Sequence, residues 1–200
     1  MNKRLLVDYV PFEVSAQAIN ESLATNNGRL IVKGTLQRAN APNQNNRIYE
    51  RKLLEREAAK YAKHFIGERR ALGELDHPDS SVVNLNNVSH NVLEMHWQGN
   101  DLIGTVEILS TPSGNILKEL FKSGIKLGIS SRGLGSVNEN SDGTLQVQED
   151  FELIAFDFVS NPSTHGAFLY PSKMNESVNK AVNGKFNRVD KLILDIIKEF

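Results

Sequence analysis

The sequence predicts an α+β fold in which mostly antiparallel strands are arranged in meanders with helices between and around them. Three observations carry this. Amphipathic stretches place apolar residues at helical spacing, and short runs of β-branched and aromatic residues are bounded by turn signals. The two kinds of element also fail to alternate as the βαβ units of a doubly wound sheet would.

Taken in order, residues 1–27 are weakly patterned and end at the turn signal "ATNNG". "GRLIVKGTLQR" (28–38) reads as a strand and "ANAPNQNN" (39–46) as a polar loop. In "RIYERKLLEREAAKYAKHF", Leu54, Ala58, Tyr61, Ala62 and Phe65 form one helical stripe with charges opposite. "GELDHPDSS" (73–81) is rich in turn formers. "VSHNVLEMHW" and "LIGTVEIL", joined by "QGND", read as a hairpin. "SGNILKELFKSG" (113–124) predicts a short helix that buries Leu117, Leu120 and Phe121 and stops at Gly124. "KLGISSRGLGS" (126–136) has an apolar lead-in followed by glycines, and "NENSDG" (138–143) reads as a hairpin loop. "FELIAFDFV" (151–159) is an apolar strand that places Phe151, Leu153, Ala155, Asp157 and Val159 on one face and Ile154, Phe156 and Phe158 on the other. Residues 171–187 have tail composition. The final "RVDKLILDIIKEF" is amphipathic, with Val189, Leu192, Ile193, Ile196 and Ile197 on one side.

The chain has 200 residues, enough to bury a core without staples, and its 23 basic and 24 acidic side chains leave a net charge of −1. That balance carries no electrostatic footprint for nucleic acid or an anionic membrane. With no cysteine, disulfides and cysteine-based zinc sites are excluded. The N-terminus lacks a sustained apolar segment, and no window approaches a membrane span, so the protein is expected to stay where it is made.

The chemistry concentrates in three places. A serine hydroxyl becomes a nucleophile when a base takes its proton and N–H groups receive the oxyanion. "GISSRG" offers Ser130 and Ser131, although taken alone it reads more readily as a glycine-rich turn with incidental hydroxyls. Among the five histidines, His77 stands apart, because Pro78 restricts its backbone within "GELDHPD". His64 reads as a solvated helix residue, and His90 and His96 as lining a half-buried strand face. Asp157 sits within an apolar strand, where burying an acid is costly unless it is paired; a histidine would serve as the partner. The plainer reading is an acid satisfied by backbone amides. Glu74, Asp76, His77 and Asp79 could instead ligate a divalent cation, but no second acid or histidine cluster accompanies them.

Together, "NQNNRIYERKLLEREA", "ALGELDHPDS", "MHWQGNDLIGTVEIL" and "GISSRGLGSV" resemble one family, the prohead core protein proteases of T-even-like tailed bacteriophages. The blocks keep the family's order and similar spacing from Gly28 to Tyr170. The resemblance implies a fold similar to herpesvirus assemblins, a β-barrel-like core of mostly antiparallel strands surrounded by helices. It implies a serine endopeptidase that digests the internal scaffold of the prohead and trims capsid proteins, working inside the prohead in the host cytoplasm.

Carried over, His77 is the base and Ser130 the nucleophile. Asp157 matches the family's acid, while the second histidine of the herpesvirus relatives leaves His165 as an alternative. Arg132, Gly133 or neighbouring amides would serve the oxyanion. No metal or other cofactor is implied. Scaffold and capsid proteins are the expected substrates, a homo-oligomer is expected, and nucleic acid and membrane are not expected partners. Residues 1–170 form the expected protease domain, its first 27 residues uncharacterised, and 171–200 form a tail. Family proteases cut after glutamate with an aliphatic residue two positions earlier. "MNESV" fits this pattern with Met174 and Glu176, which implies self-cleavage. The competing expectation is a non-enzymatic scaffold or assembly protein that binds partners through its amphipathic C-terminal segment.

Overall fold

The computed structural model describes residues 3–76 and 78–160. The chain separates into two compact units, Met1–His165 and Gly166–Phe200, and every described residue belongs to the first. His77, His165, the Glu176 cleavage site and the amphipathic segment 188–200 lie outside the described residues.

The stretch that looked weakly patterned contains strand β1 (Arg4–Phe12) and helix α1 (Ala16–Thr25). In β1 the inward residues are Leu6, Asp8 and Phe12, so a charge interrupts the apolar alternation. Helix α1 starts at Ser15, whose hydroxyl accepts a hydrogen bond from Ala18 N at 3.1 Å, and it buries only Ile19 and Ser22. So small a buried face gives little helical periodicity.

Strand β2 (Leu30–Arg38), the two-residue β3 (Arg47–Ile48) and helix α2 (Arg51–Tyr61) follow. A π-turn at Ala62–Ile66 prolongs α2 and leaves His64 exposed as expected. Next come β4 (Leu72–Glu74) and the expected hairpin, β5 (Val88–Gln98) with β6 (Asp101–Ile108). Its turn uses Gly99 at φ +58°. Helix α3 (Pro112–Lys122) begins at Thr111, which caps Gly114 N at 3.0 Å, with Pro112 in the first turn. Strands β7 (Leu127–Gly135), β8 (Val137–Glu139), β9 (Leu145–Val147) and β10 (Glu152–Val159) complete the described fold.

The strands form three sheets, ordered β1-β7-β10, β2-β6-β5-β4 and β3-β9-β8, and every ladder except β3 with β9 is antiparallel. One parallel bridge, Leu75 to Phe158, links the end of β4 to β10. The expected barrel-like core is corrected here: no ladder joins β1 to β2 among the described residues, so the sheets do not close. The main core lies between the first two sheets, where Phe158 meets Phe12 and Phe121 edge-on at 5.1 and 5.4 Å. A second cluster gathers Leu6, Tyr49, Leu53, Leu54 and Phe151.

The glycine-rich stretch is not a turn. β7 is the central strand of its sheet, paired along its length with both neighbours. A side chain at Gly128 would collide with the Tyr9 ring, and one at Gly133 with the ring of Phe151, so aromatic rings of adjoining segments occupy the space that the glycines vacate. The expected face of the last strand also changes. A bulge between Leu153 and Ala155 turns Leu153 onto the side of Phe156 and Phe158 and leaves Ala155, Asp157 and Val159 on the other.

Candidate active site

Strand register brings the serine and the acid together. Ser130 on β7 lies directly opposite Asp157 on β10, with Tyr9 of β1 opposite its other side. Directly opposed residues of an antiparallel pair project from the same face. Ser131 therefore projects from the other, core-facing side. There its hydroxyl accepts a hydrogen bond from Gln37 Nε2 at 2.7 Å and reaches Asp8 O at 3.5 Å. Ser130 is 1% exposed, and its Oγ has no hydrogen-bond partner among the described residues. The adjacent serines thus have opposite situations: one hydroxyl is tied into the core, and the other is buried without a partner among the described residues.

Asp157, Arg132 and Glu74 are all 0% exposed. Asp157 Oδ1 accepts from Glu74 N at 3.0 Å and from Arg132 Nη2 at 3.1 Å. Arg132 Nε lies 2.9 Å from Asp157 Oδ2, an ion-pair contact without the alignment of a hydrogen bond. Arg132 Nη2 also donates to Glu74 Oε1 at 2.9 Å, and Nη1 donates to Ser80 O at 2.8 Å. Burial raises the Asp157 carboxyl above its ordinary range, against the opposing pull of Arg132 and the Glu74 amide. The sequence had suggested a histidine as the partner of Asp157; its described partners are Arg132 and a backbone amide. It had also placed Arg132 and Gly133 at an oxyanion. The Arg132 guanidinium instead bridges two carboxylates, and Gly133 lies under Phe151.

The turn that leads to His77 is held against the same strand. Leu75 bridges to Phe158, and Asp76 N donates to Phe158 O at 2.7 Å. Asp76 has a φ of +63°, a left-handed conformation that is costly for a residue with a side chain and that clusters at functional sites. Beyond His77, the Arg132 bond to Ser80 O fastens the far limb of the turn. Asn84 N, donating to Glu74 Oε1 at 3.0 Å, fastens it again.

Sequence reasoning missed three contributors. Tyr61 had been read only as part of an apolar stripe. Its hydroxyl is buried without a hydrogen-bond partner among the described residues, and burial first, then Asp157, raises its pKa. Tyr9 went unnoticed because β1 itself did. Glu74 had been considered only as a metal ligand, whereas its Oε1 belongs to Arg132 and Asn84.

His90 lies on β5, behind β10. Its Nε2 is 2.9 Å from Phe156 O, a group that can only accept, so Nε2 carries the proton and Nδ1 accepts from Ser89 Oγ at 2.9 Å. It is fully buried, not half-exposed, and burial drives its pKa down to about 4. A depressed histidine pKa means that the unfolded chain takes up the proton first. Stability is therefore lost as pH falls from about 6.5 to about 4, by roughly 3 kcal/mol from this group. Denaturant unfolding at pH 7 and pH 4.5 should show a smaller acid loss in His90→Gln than in the wild type. Equal losses would remove His90 as the cause.

A peptidase fits this arrangement, and comparison with known proteins agrees. The profile of the prohead core protein serine protease family matches residues 5–179, and the chain belongs to that family. It is 32% identical over 151 residues to the prohead core protein protease of Enterobacteria phage T4, which covers 74% of this chain and 71% of that protein. Its fold is similar to the solved structure of the bacteriophage T4 capsid assembly protease, gp21, with a TM-score of 0.71 and 27% identity, covering 80% of this chain and 100% of the other. The chain is therefore a protease with a role in prohead maturation.

Proposed function

We propose that the chain is a serine endopeptidase that uses Ser130 as nucleophile, His77 as general base and Asp157 as the group that orients and stabilises the imidazole. The observation that carries this reading is the register: a buried serine hydroxyl with no hydrogen-bond partner among the described residues faces a buried carboxylate. His77 takes the Ser130 proton as Oγ attacks the scissile carbonyl carbon, and the charge on the new imidazolium is balanced by the carboxylate. The C–N bond breaks as the imidazolium returns the proton to the leaving amine. Water, activated by the same base, then hydrolyses the acyl-enzyme. His165 remains the alternative third member.

The substrates are the scaffold and capsid proteins of the prohead, and the enzyme works inside the prohead as a homo-oligomer. No described helix is long and apolar enough to cross a membrane. Ser130 is 1% exposed, so a peptide substrate reaches it only after local opening of the described form. Cleavage follows glutamate, and Glu176 in "MNESV" is the self-cleavage site. Mass spectrometry of aged protein tests this. The wild type should lose the segment after Glu176, and Ser130→Ala should keep it. A wild-type tail that stays whole, or one lost equally from the variant, would end the self-cleavage proposal.

A further inference from the structure

We propose that Glu74, Arg132 and Asp157 form one charge unit, in which Arg132 and Glu74 are positioning residues that set the negative charge presented to the protonated base. The inference rests on the assignment of Ser130, His77 and Asp157 above, and it concerns residues to which that assignment gives no such role.

Two carboxylates share one guanidinium. Arg132 reaches Glu74 Oε1 at 2.9 Å and Asp157 Oδ1 at 3.1 Å, and all three side chains are 0% exposed. A single buried pair has matched formal charges, whereas this trio sets two carboxyl groups against one guanidinium, and uncompensated buried charge is strongly unfavourable. Each carboxylate also keeps one oxygen, Glu74 Oε2 and Asp157 Oδ2, with no hydrogen-bond partner among the described residues. The site therefore holds one acid more than its guanidinium balances, with Glu74 Oε2 left as an unused acceptor among the described residues, and an imidazolium supplies the missing counter-charge. Placement agrees with this. Arg132 is two residues from Ser130 on the same strand face, and Glu74 is three residues before His77.

The neighbouring titratable groups add no buried charge. Tyr61 of α2 and Tyr9 of β1 both have raised pKa values, and His90 of β5 has its pKa lowered to about 4, so all three are neutral near pH 7. Asp76 and Asp79 in the turn are exposed, where water and salt screen them. A purely structural account would have Arg132 simply staple the turn through Ser80 O and Val82 O. That account makes no claim on the pH dependence of catalysis.

The test is the pH profile of kcat/KM for a peptide substrate in Glu74→Gln and Arg132→Lys. Glutamine keeps the shape of Glu74 and can accept from Arg132 and Asn84, but it removes the excess charge. The acid limb should then move to lower pH by about one unit, because the protonated base loses stabilisation. Lysine keeps the charge but cannot bridge two carboxylates and a carbonyl, so kcat should fall on the order of 100-fold with the acid limb unmoved. If Glu74→Gln does not fold, Glu74→Met under the same measurement takes its place. An unmoved limb in the folded Glu74 variant, with Ser130→Ala inactive, overturns the charge unit alone. Full activity in Ser130→Ala overturns the underlying assignment instead.

Discussion

Ser130→Ala is expected to abolish peptide hydrolysis, with a loss on the order of 10⁶-fold in kcat, while Ser131→Ala continues to turn over substrate. The two residues are adjacent, yet β7 points them to opposite faces. Removing the Ser130 hydroxyl deletes the nucleophile and disturbs no hydrogen bond among the described residues. Folding stability should therefore be unchanged or rise by up to about 1 kcal/mol, since an unsatisfied buried hydroxyl is relieved. Removing the Ser131 hydroxyl leaves buried Gln37 Nε2 without its 2.7 Å acceptor, at a cost of about 1–3 kcal/mol. Cleavage assays combined with thermal melting of both variants give a crossed pattern: one inactive and stable, the other active and weakened. Activity that survives in Ser130→Ala and disappears in folded Ser131→Ala would reverse the assignment of the pair.

Elements whose periodicity is undisturbed were legible from the sequence. α2, the β5–β6 hairpin and α3 follow the spacing of their apolar residues, and β10 is marked by its apolar run although its bulge hid which face Leu153 takes. β1 and α1 were not, because Asp8 replaces an apolar residue on the inner face of one and the other buries a face of two residues. The glycines of β7 looked like a turn because their purpose is not local. They make room for Tyr9 and Phe151, which come from other segments of the chain.

The same limit governed the site. Ser130 and Asp157 stood out as residue types, and the opposition of their strands then placed them face to face. Arg132 could not be read correctly, because its partner Glu74 lies 58 positions away and only the fold brings it near. Of the two acids that Arg132 joins, the sequence marked Asp157 by its apolar setting. Glu74 was hidden in a turn-rich segment that carries several acids.

Arg132→Met is expected to cost about 3–5 kcal/mol at neutral pH, a large share of the 5–15 kcal/mol typical of a folded domain. The guanidinium is 0% exposed, and its loss leaves Glu74 and Asp157 buried near each other with no counter-charge. It also releases Ser80 O, so the turn carrying His77 loses its fastening to β7. The pH dependence identifies the cause. With the arginine gone, burial and mutual repulsion raise the carboxylate pKa values above those of the unfolded chain. The stability gap between the variant and the wild type should therefore narrow from pH 8 to pH 5, because one acid takes up a proton. His90 weakens both proteins alike as pH falls, so the gap reports the two acids. Adding Glu74→Gln to Arg132→Met removes one of the stranded charges and should recover part of the loss, giving a favourable coupling on the order of 1–3 kcal/mol in a double-mutant cycle. Unfolding curves at the two pH values for the single and double variants measure all of this. Additive losses, with a gap to the wild type that does not narrow at pH 5, would mean that Arg132 stabilises the fold through its carbonyl contacts and the volume it fills, and not by balancing the two acids.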